Sequence, residues 1–382
     1  MKPLPAPGAS IKRLQGLILL LLAVCMPSRL RSEWGPFIPA DHPALRGEGR
    51  VRIADDHSAV FDWASVRLHL AFKGRGLAVY GRLGQNYLDV FVDGDRVAIL
   101  GRAPRVPGST FALQGVEAGD SKFGPVFEIS GLNPGRHEVV IAKRTSPNFG
   151  PATLLGLSLD QGATLLQAPP APSRRLEFVG DSLTNGYGDE GTSLQCAELP
   201  PFENSSRAWA RLSAEALSAD AQVLAYSGYG LVRNYAAKTK SSDDPVPLYY
   251  PRTVLAENKG LWDRAAFRPD ATLVFLGTND HSTQPQPDAA DFIGAYHSFL
   301  AVLRKGRPGL PILILYPDDA SDLSQRVQQV AAEEQAKGKL VEALGLPQPD
   351  HSELGCDWHP KAVVQARWSK QVIAKLKKML NW

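Results

Sequence analysis

The chain has only three cysteines among 382 residues: Cys25, Cys196 and Cys356. So few exclude a disulfide-rich scaffold and a four-cysteine zinc site. No His-Glu-x-x-His and no Cys/His spacing suited to zinc is present, so metal catalysis has no support in the sequence. No cofactor is implied. The N-terminal apolar run, Leu17 to Met26, is ten residues long. A membrane span needs about 20. Lysine and arginine form no block beyond local pairs, and the formal net charge is only +3. Both features argue against a nucleic-acid binder. The α/β-hydrolase elbow Gly-x-Ser-x-Gly is missing around Ser182, where Thr184 replaces the second glycine.

What is present describes a folded chain. Hydrophobic residues make up 44% and charged residues 21%, which supplies enough apolar surface to offset chain entropy. With 34 glycines and 30 prolines, turns and short strands are favoured over long helices. The length allows one large domain or two ordinary ones.

Residues 1–31 read as a secretory signal peptide. Lys2, Lys12 and Arg13 precede the ten-residue apolar run, and no acid occurs. Leu22-Ala-Val-Cys25 loosely resembles a lipoprotein box, but Val24 is a poor residue before a lipidated cysteine. The expectation is therefore export, periplasmic or secreted, without an anchor through Cys25. The segment carries Lys2, Lys12, Arg13, Arg29 and Arg31, so losing it takes the charge from +3 to −2, or to 0 if cleavage falls before Arg29. A near-neutral mature protein suits a neutral partner. In an oxidising compartment Cys196 and Cys356 become a candidate disulfide pair, on opposite sides of the segment that carries the chemistry.

Two halves differ in periodicity. Over residues 32–166, Val66–Phe72, Tyr87–Asp93, Val97–Leu100, His137–Lys143 and Thr153–Leu159 form short runs, several alternating apolar and polar, broken by turns such as Asp93-Gly-Asp95 and Asn133-Pro-Gly135. That spacing predicts an antiparallel β-sandwich, here of jelly-roll type. Residues 167–173, Gln-Ala-Pro-Pro-Ala-Pro-Ser, predict a stiff linker. Residues 174–382 alternate strands (175–179, 222–226, 271–276, 311–316) with helices (206–218, 292–305, 324–337, 360–380). This predicts a parallel sheet covered on both faces, with ligands bound beyond the carboxyl ends of its strands.

Four segments fall at those ends. Gly180-Asp181-Ser182 can present a hydroxyl at the sheet edge. A serine becomes a useful nucleophile only when a base takes its proton. Gly277-Thr-Asn279-Asp280 can aim an amide N–H at a developing oxyanion. Asp357-Trp358-His359-Pro360 opens the last helix and can supply a base, with an acid to hold its ring. Ala225-Tyr-Ser-Gly228 lets a backbone N–H approach closely. Each segment alone is as well explained by a turn or a helix cap.

Together their content and order resemble the SGNH (GDSL-type) hydrolase superfamily. The resemblance covers about Arg174 to Trp382. It implies Ser182 as nucleophile, His359 as base, and an oxyanion hole from the Ser182 and Gly228 N–H groups and the Asn279 side chain. The superfamily usually has Asp-x-x-His, which would put the acid at Cys356. Here the spacing is Asp357-x-His359. That spacing, the Trp358 between, Gly186-Tyr187-Gly188 and the N-terminal sandwich look like carbohydrate esterase family 2. Members of that family deacetylate polysaccharides such as xylan and glucomannan, and some are similar to a plain Ser–His dyad. The implied partner is an acetylated polysaccharide or oligosaccharide. Trp358, Tyr235 and Tyr187 are the candidates for stacking on sugar. The remaining histidines read as structural, His281 included, though it adjoins Asn279. Competing expectations are an esterase of another bacterial glycan such as peptidoglycan, and a carbohydrate-binding protein with residual esterase activity.

Overall fold

The computed structural model describes residues 34–101, 125–196, 200–258 and 260–382. The expected leader at 1–31 and Cys25 lie outside the described residues. Trp34–Trp382 form one compact unit. No helix among the described residues is long and apolar enough to cross a membrane.

The N-terminal half is two antiparallel sheets. One has the order Arg52–Ile53, Ala59–Phe61, Ala152–Leu159, Leu77–Arg82, Phe127–Ile129, with Ile38–Pro39 also on Ala152–Leu159. The other has the order Thr164–Leu166, Arg67–Gly74, Gly135–Lys143, Leu88–Val92, Asp95–Leu100, with Arg46–Glu48 also on Arg67–Gly74. Period-two patterning sets which face is buried. In Gly135–Lys143, His137, Val139 and Ile141 are buried while Arg136 and Glu138 are exposed. Phe61, Val79, Leu154 and Leu157 of one sheet share a core with Leu68, Leu70, Val90 and Ile141 of the other. Two sheets with one core between them make a sandwich.

The C-terminal half is a five-stranded parallel sheet, ordered Ala219–Ala225, Arg174–Gly180, Ala271–Phe275, Ile312–Asp318, Val341–Pro347. Neighbouring residues on one strand feed opposite cores. Phe178, Leu273 and Leu313 pack with Trp209, Val364, Trp368 and Leu376 from helices Trp209–Ala216 and Ala362–Leu380. Val179, Val274 and Ile314 pack on the other side, with Phe292, Tyr296 and Val327 from helices Ala289–Leu303 and Asp322–Ala336. Double burial explains the continuous apolar runs of these strands. Val341–Pro347 is an edge strand that the sequence pattern does not announce.

The first strand, Arg174–Gly180, lies between the second and the third. The chain therefore leaves it toward opposite sides, which opens a crevice at its carboxyl end. Buried polar contacts join the two halves. Arg211 Nη1 meets Glu48 Oε1 at 2.5 Å, and Asp62 accepts from the Leu255 and Ala256 N–H groups at 2.9 and 2.8 Å. The Pro-rich stretch is itself tied down: Ala168 N–H donates to Ala44 O at 2.8 Å and Arg46 Nε donates to Pro169 O at 3.0 Å.

Candidate active site

Strand Arg174–Gly180 ends at Asp181, whose carboxylate accepts from Leu183 N–H at 3.0 Å and caps the short helix Ser182–Asn185. This cap turns Ser182 into the crevice. Asp181 is fully buried and also accepts from the Thr278 hydroxyl and, at 3.2 Å, from Asn279 Nδ2. Burial pushes its pKa up to about 7, with Asp280 adding to the rise and the Thr278 and Leu183 donors opposing it.

His359 Nε2 lies 2.8 Å from Ser182 Oγ. Its Nδ1 faces two main-chain carbonyls, Asp357 O at 3.1 Å and Cys356 O at 3.2 Å. A carbonyl can only accept, so Nδ1 carries the proton and Nε2 presents its lone pair to the serine. That is the tautomer a general base needs. His359 is half-buried, and desolvation pushes its pKa down to about 4 against the pull of the two carbonyls and the Asp357 charge.

The Asp357 carboxylate takes another partner. It accepts from the Tyr187 hydroxyl, and the Tyr187 ring lies 4.0 Å from the His359 ring, centroid to centroid. The expected Asp–His hydrogen bond is absent here: main-chain carbonyls occupy the position the acid was expected to fill.

The loop carrying His359 is pinned from behind. Cys196 and Cys356 are joined by a disulfide, across a Cα–Cα distance of 4.5 Å. Asp357 N–H donates to Leu194 O at 3.0 Å. Gly188 has φ +74°, and a Cβ there would stand 2.8 Å from His359 Cβ. Only glycine lets the two loops approach this closely.

The three residues expected to supply oxyanion donors each follow the end of a strand, Arg174–Gly180, Ala219–Ala225 or Ala271–Phe275. Gly228 has φ +84°, and no atom lies within 4 Å of where its Cβ would stand, so the backbone conformation rather than crowding calls for glycine. Among the described residues neither Ser182 N–H nor Gly228 N–H donates to a protein acceptor. Asn279 differs, since its Nδ2 donates to Asp181 and, at 3.1 Å, to Tyr229 O. Serving an oxyanion requires it to share or exchange one of these bonds. Its neighbour Asp280 accepts from three consecutive N–H groups, Leu231, Val232 and Arg233, at 2.9, 2.7 and 2.8 Å. Asp280 thus shapes the loop that follows Gly228, a role the motif alone did not reveal.

The three aromatic candidates separate. Trp358 is 64% exposed and Tyr235 is 59% exposed. Trp358 sits beside His359 at φ +65°, and Tyr235 N–H donates to Gly228 O at 2.8 Å. Both are exposed side chains on segments that carry site residues, and the Trp358 ring meets the His351 ring at 5.4 Å. Tyr187 is only 5% exposed, so the stacking role expected for it is corrected: its ring is covered by His359 and its hydroxyl is spent on Asp357. His281 is engaged by Gly277 O at 2.9 Å and Arg326 Nη1 at 2.8 Å.

Residues 178–363 match the GDSL-like Lipase/Acylhydrolase family. The cellulase/esterase CelE of Acetivibrio thermocellus is 31% identical over 353 residues, covering 90% of this chain and 40% of that protein. An acetylxylan esterase/glucomannan deacetylase of Cellvibrio japonicus is 29% identical, over 80% of this chain and 81% of that protein. Among solved structures, a family two carbohydrate esterase from Clostridium thermocellum in complex with cellohexaose superposes with a TM-score of 0.77 at 27% identity, over 88% of this chain and 99% of that one. The chain thus spans less than half of CelE but most of the other two. On sequence, on both halves of the fold and on the Ser182–His359 geometry, the chain carries a GDSL-like lipase/acylhydrolase region over residues 178–363 and resembles carbohydrate esterase family 2.

Proposed function

We propose that the chain is an exported O-acetyl esterase of polysaccharides that works through an acetyl-enzyme on Ser182. The observation that carries this reading is the 2.8 Å contact of Ser182 Oγ with His359 Nε2, with Nδ1 turned to carbonyl acceptors. His359 takes the serine proton as Ser182 attacks the acetyl carbonyl. The oxyanion settles against the Ser182 and Gly228 N–H groups, with the Asn279 amide as third donor. Collapse of the intermediate expels the sugar hydroxyl, which receives the proton from His359. Water then enters, loses a proton to His359 and releases acetate by the same path in reverse.

Acetylated xylan or glucomannan is the substrate class this reading names. The Cellvibrio relative is described as acting on these glycans, and the near-neutral charge expected without residues 1–31 suits an uncharged polymer. Exposed Trp358 and Tyr235 offer flat apolar faces beside the site, as a pyranose ring requires. The experiment compares acetate release from acetylated xylan, acetylated glucomannan and O-acetylated peptidoglycan. Faster release from either plant polysaccharide supports the proposal. Preference for peptidoglycan replaces the substrate class and leaves the chemistry. Binding to these polymers with no acetate released would sink the esterase in favour of a binding protein.

A further inference from the structure

The carbonyl of Ser227 and the N–H of Gly228 belong to one peptide group, so whatever fixes the carbonyl also aims the N–H. The carbonyl accepts a hydrogen bond at 3.1 Å from Asn148 Nδ2, on the sandwich half. The Ser227 hydroxyl accepts at 3.1 Å from Asn185 Nδ2, three residues beyond Ser182 on the nucleophile's own helix. We propose that Asn148 is a positioning residue, through which the β-sandwich holds the Ser227–Gly228 peptide with its N–H directed at the developing oxyanion. The inference rests on the oxyanion role of Gly228 proposed above.

The peptide needs such a support. Gly228 sits at φ +84°, and no atom lies within 4 Å of where its Cβ would stand, so no side chain packs there against the peptide. A donor on the carbonyl also polarises the peptide and makes its N–H a better donor, because hydrogen bonds in a chain strengthen one another. Asn148 is itself well anchored. It lies in the 3-10 turn Pro147–Phe149. The turn is held before Asn148 by Ser146 N–H donating to Glu203 Oε2 at 2.6 Å and by buried Lys143 donating to Ser146 O at 3.1 Å. After Asn148 it is held by Asn86 Nδ2 donating to Gly150 O at 3.1 Å. An amide on so rigid a turn can hold geometry that a free loop would lose. The sandwich would then complete the oxyanion hole as well as wall the cleft.

The test is steady-state kinetics of the full chain on a small acetyl ester, comparing wild type with Asn148→Ala, Asn148→Asp and Ser182→Ala. Asn148 is solvent-exposed, so both replacements are compatible with folding, which thermal melting checks. The expected result is a fall in kcat of about ten- to a hundredfold with KM unchanged, since a donor that matters in the transition state affects kcat and not ground-state binding. Asn148→Asp keeps the shape but replaces the donor with a carboxylate that repels the Ser227 carbonyl. It is expected to be no better than Asn148→Ala, whereas a packing role would be rescued by it. Unchanged kcat in both variants, or a rise in KM alone, overturns the proposal. Full activity in Ser182→Ala refutes the nucleophile assignment instead, so the two failures are told apart.

Discussion

Asp357 gives its carboxylate to the hydroxyl of Tyr187, and the ring of His359 is steadied by main-chain carbonyls. From these contacts Ser182 and His359 are expected to work as a dyad, with main-chain carbonyls in the place of a third side chain. Where a carboxylate does hold the base, its loss costs about 10⁴ in kcat. Here Asp357→Asn is expected to cost less than about tenfold, and His359→Ala to abolish most turnover. Comparing kcat for the two variants on an acetyl ester checks this. Equal losses would restore Asp357 as the acid of a triad.

Acid tolerance follows from the same ring. A general base must be neutral, and burial lowers the His359 pKa to about 4. The neutral form therefore persists on acidification past the usual histidine range. The log of kcat/KM is expected to stay level from pH 7 to about pH 5 and to fall through about pH 4. The pH–rate profile of the free enzyme reads this directly. An acidic limb centred near 6.5 contradicts it.

The Cys196–Cys356 bridge joins residues 160 apart in sequence and ends three residues before His359. Replacing Cys196 with serine is expected to destabilise the fold by about 2–5 kcal/mol, as loss of a native disulfide generally does. Because Cys356 O also accepts a hydrogen bond from His359 Nδ1–H, kcat should fall as well. Thermal melting with kinetics at a temperature where the variant is folded checks both. A variant with unchanged melting and unchanged kcat refutes the clamp.

Trp358 and Tyr235 are expected to serve the glycan and not the chemistry. Trp358→Ala should raise KM for acetylated polysaccharide by about tenfold, the equivalent of roughly 1.4 kcal/mol, and leave kcat on a small acetyl ester within about twofold. Parallel kinetics on both substrates decide it, and an equal loss on both would place Trp358 in the chemistry.

Much of this site is written locally. Ser182, Gly228, Asn279 and His359 each stand just past a strand end or before a helix start, where a short motif carries the signal. The alternating runs that end at Leu159 and the doubly buried runs Ala271–Phe275 and Ile312–Leu315 show the change from sandwich to parallel sheet for the same reason: burial on one face or two leaves a period in the sequence. What the sequence hid is non-local. Tyr187 finds Asp357 170 residues away, and Asn148 finds Ser227 79 residues away. Polar pairs of that separation leave no periodic trace. Strand Val341–Pro347 escaped because Glu, Ala, Gly and Pro weaken its β-pattern, and an edge strand with one paired neighbour tolerates them. In the motif Asp280 is only the neighbour of Asn279, yet it collects three N–H groups contributed by another segment.

An acetyl-enzyme mechanism requires Ser182 to carry the acetyl group. The most direct measurement is rapid-quench mass spectrometry of the full chain mixed with an acetylated substrate, run beside Ser182→Ala. The account predicts one acetyl group on the peptide containing Ser182, appearing and decaying at rates that match turnover, and neither adduct nor appreciable acetate release from the variant. Acetate release undiminished in Ser182→Ala, or an acetyl group carried on another residue, would contradict it.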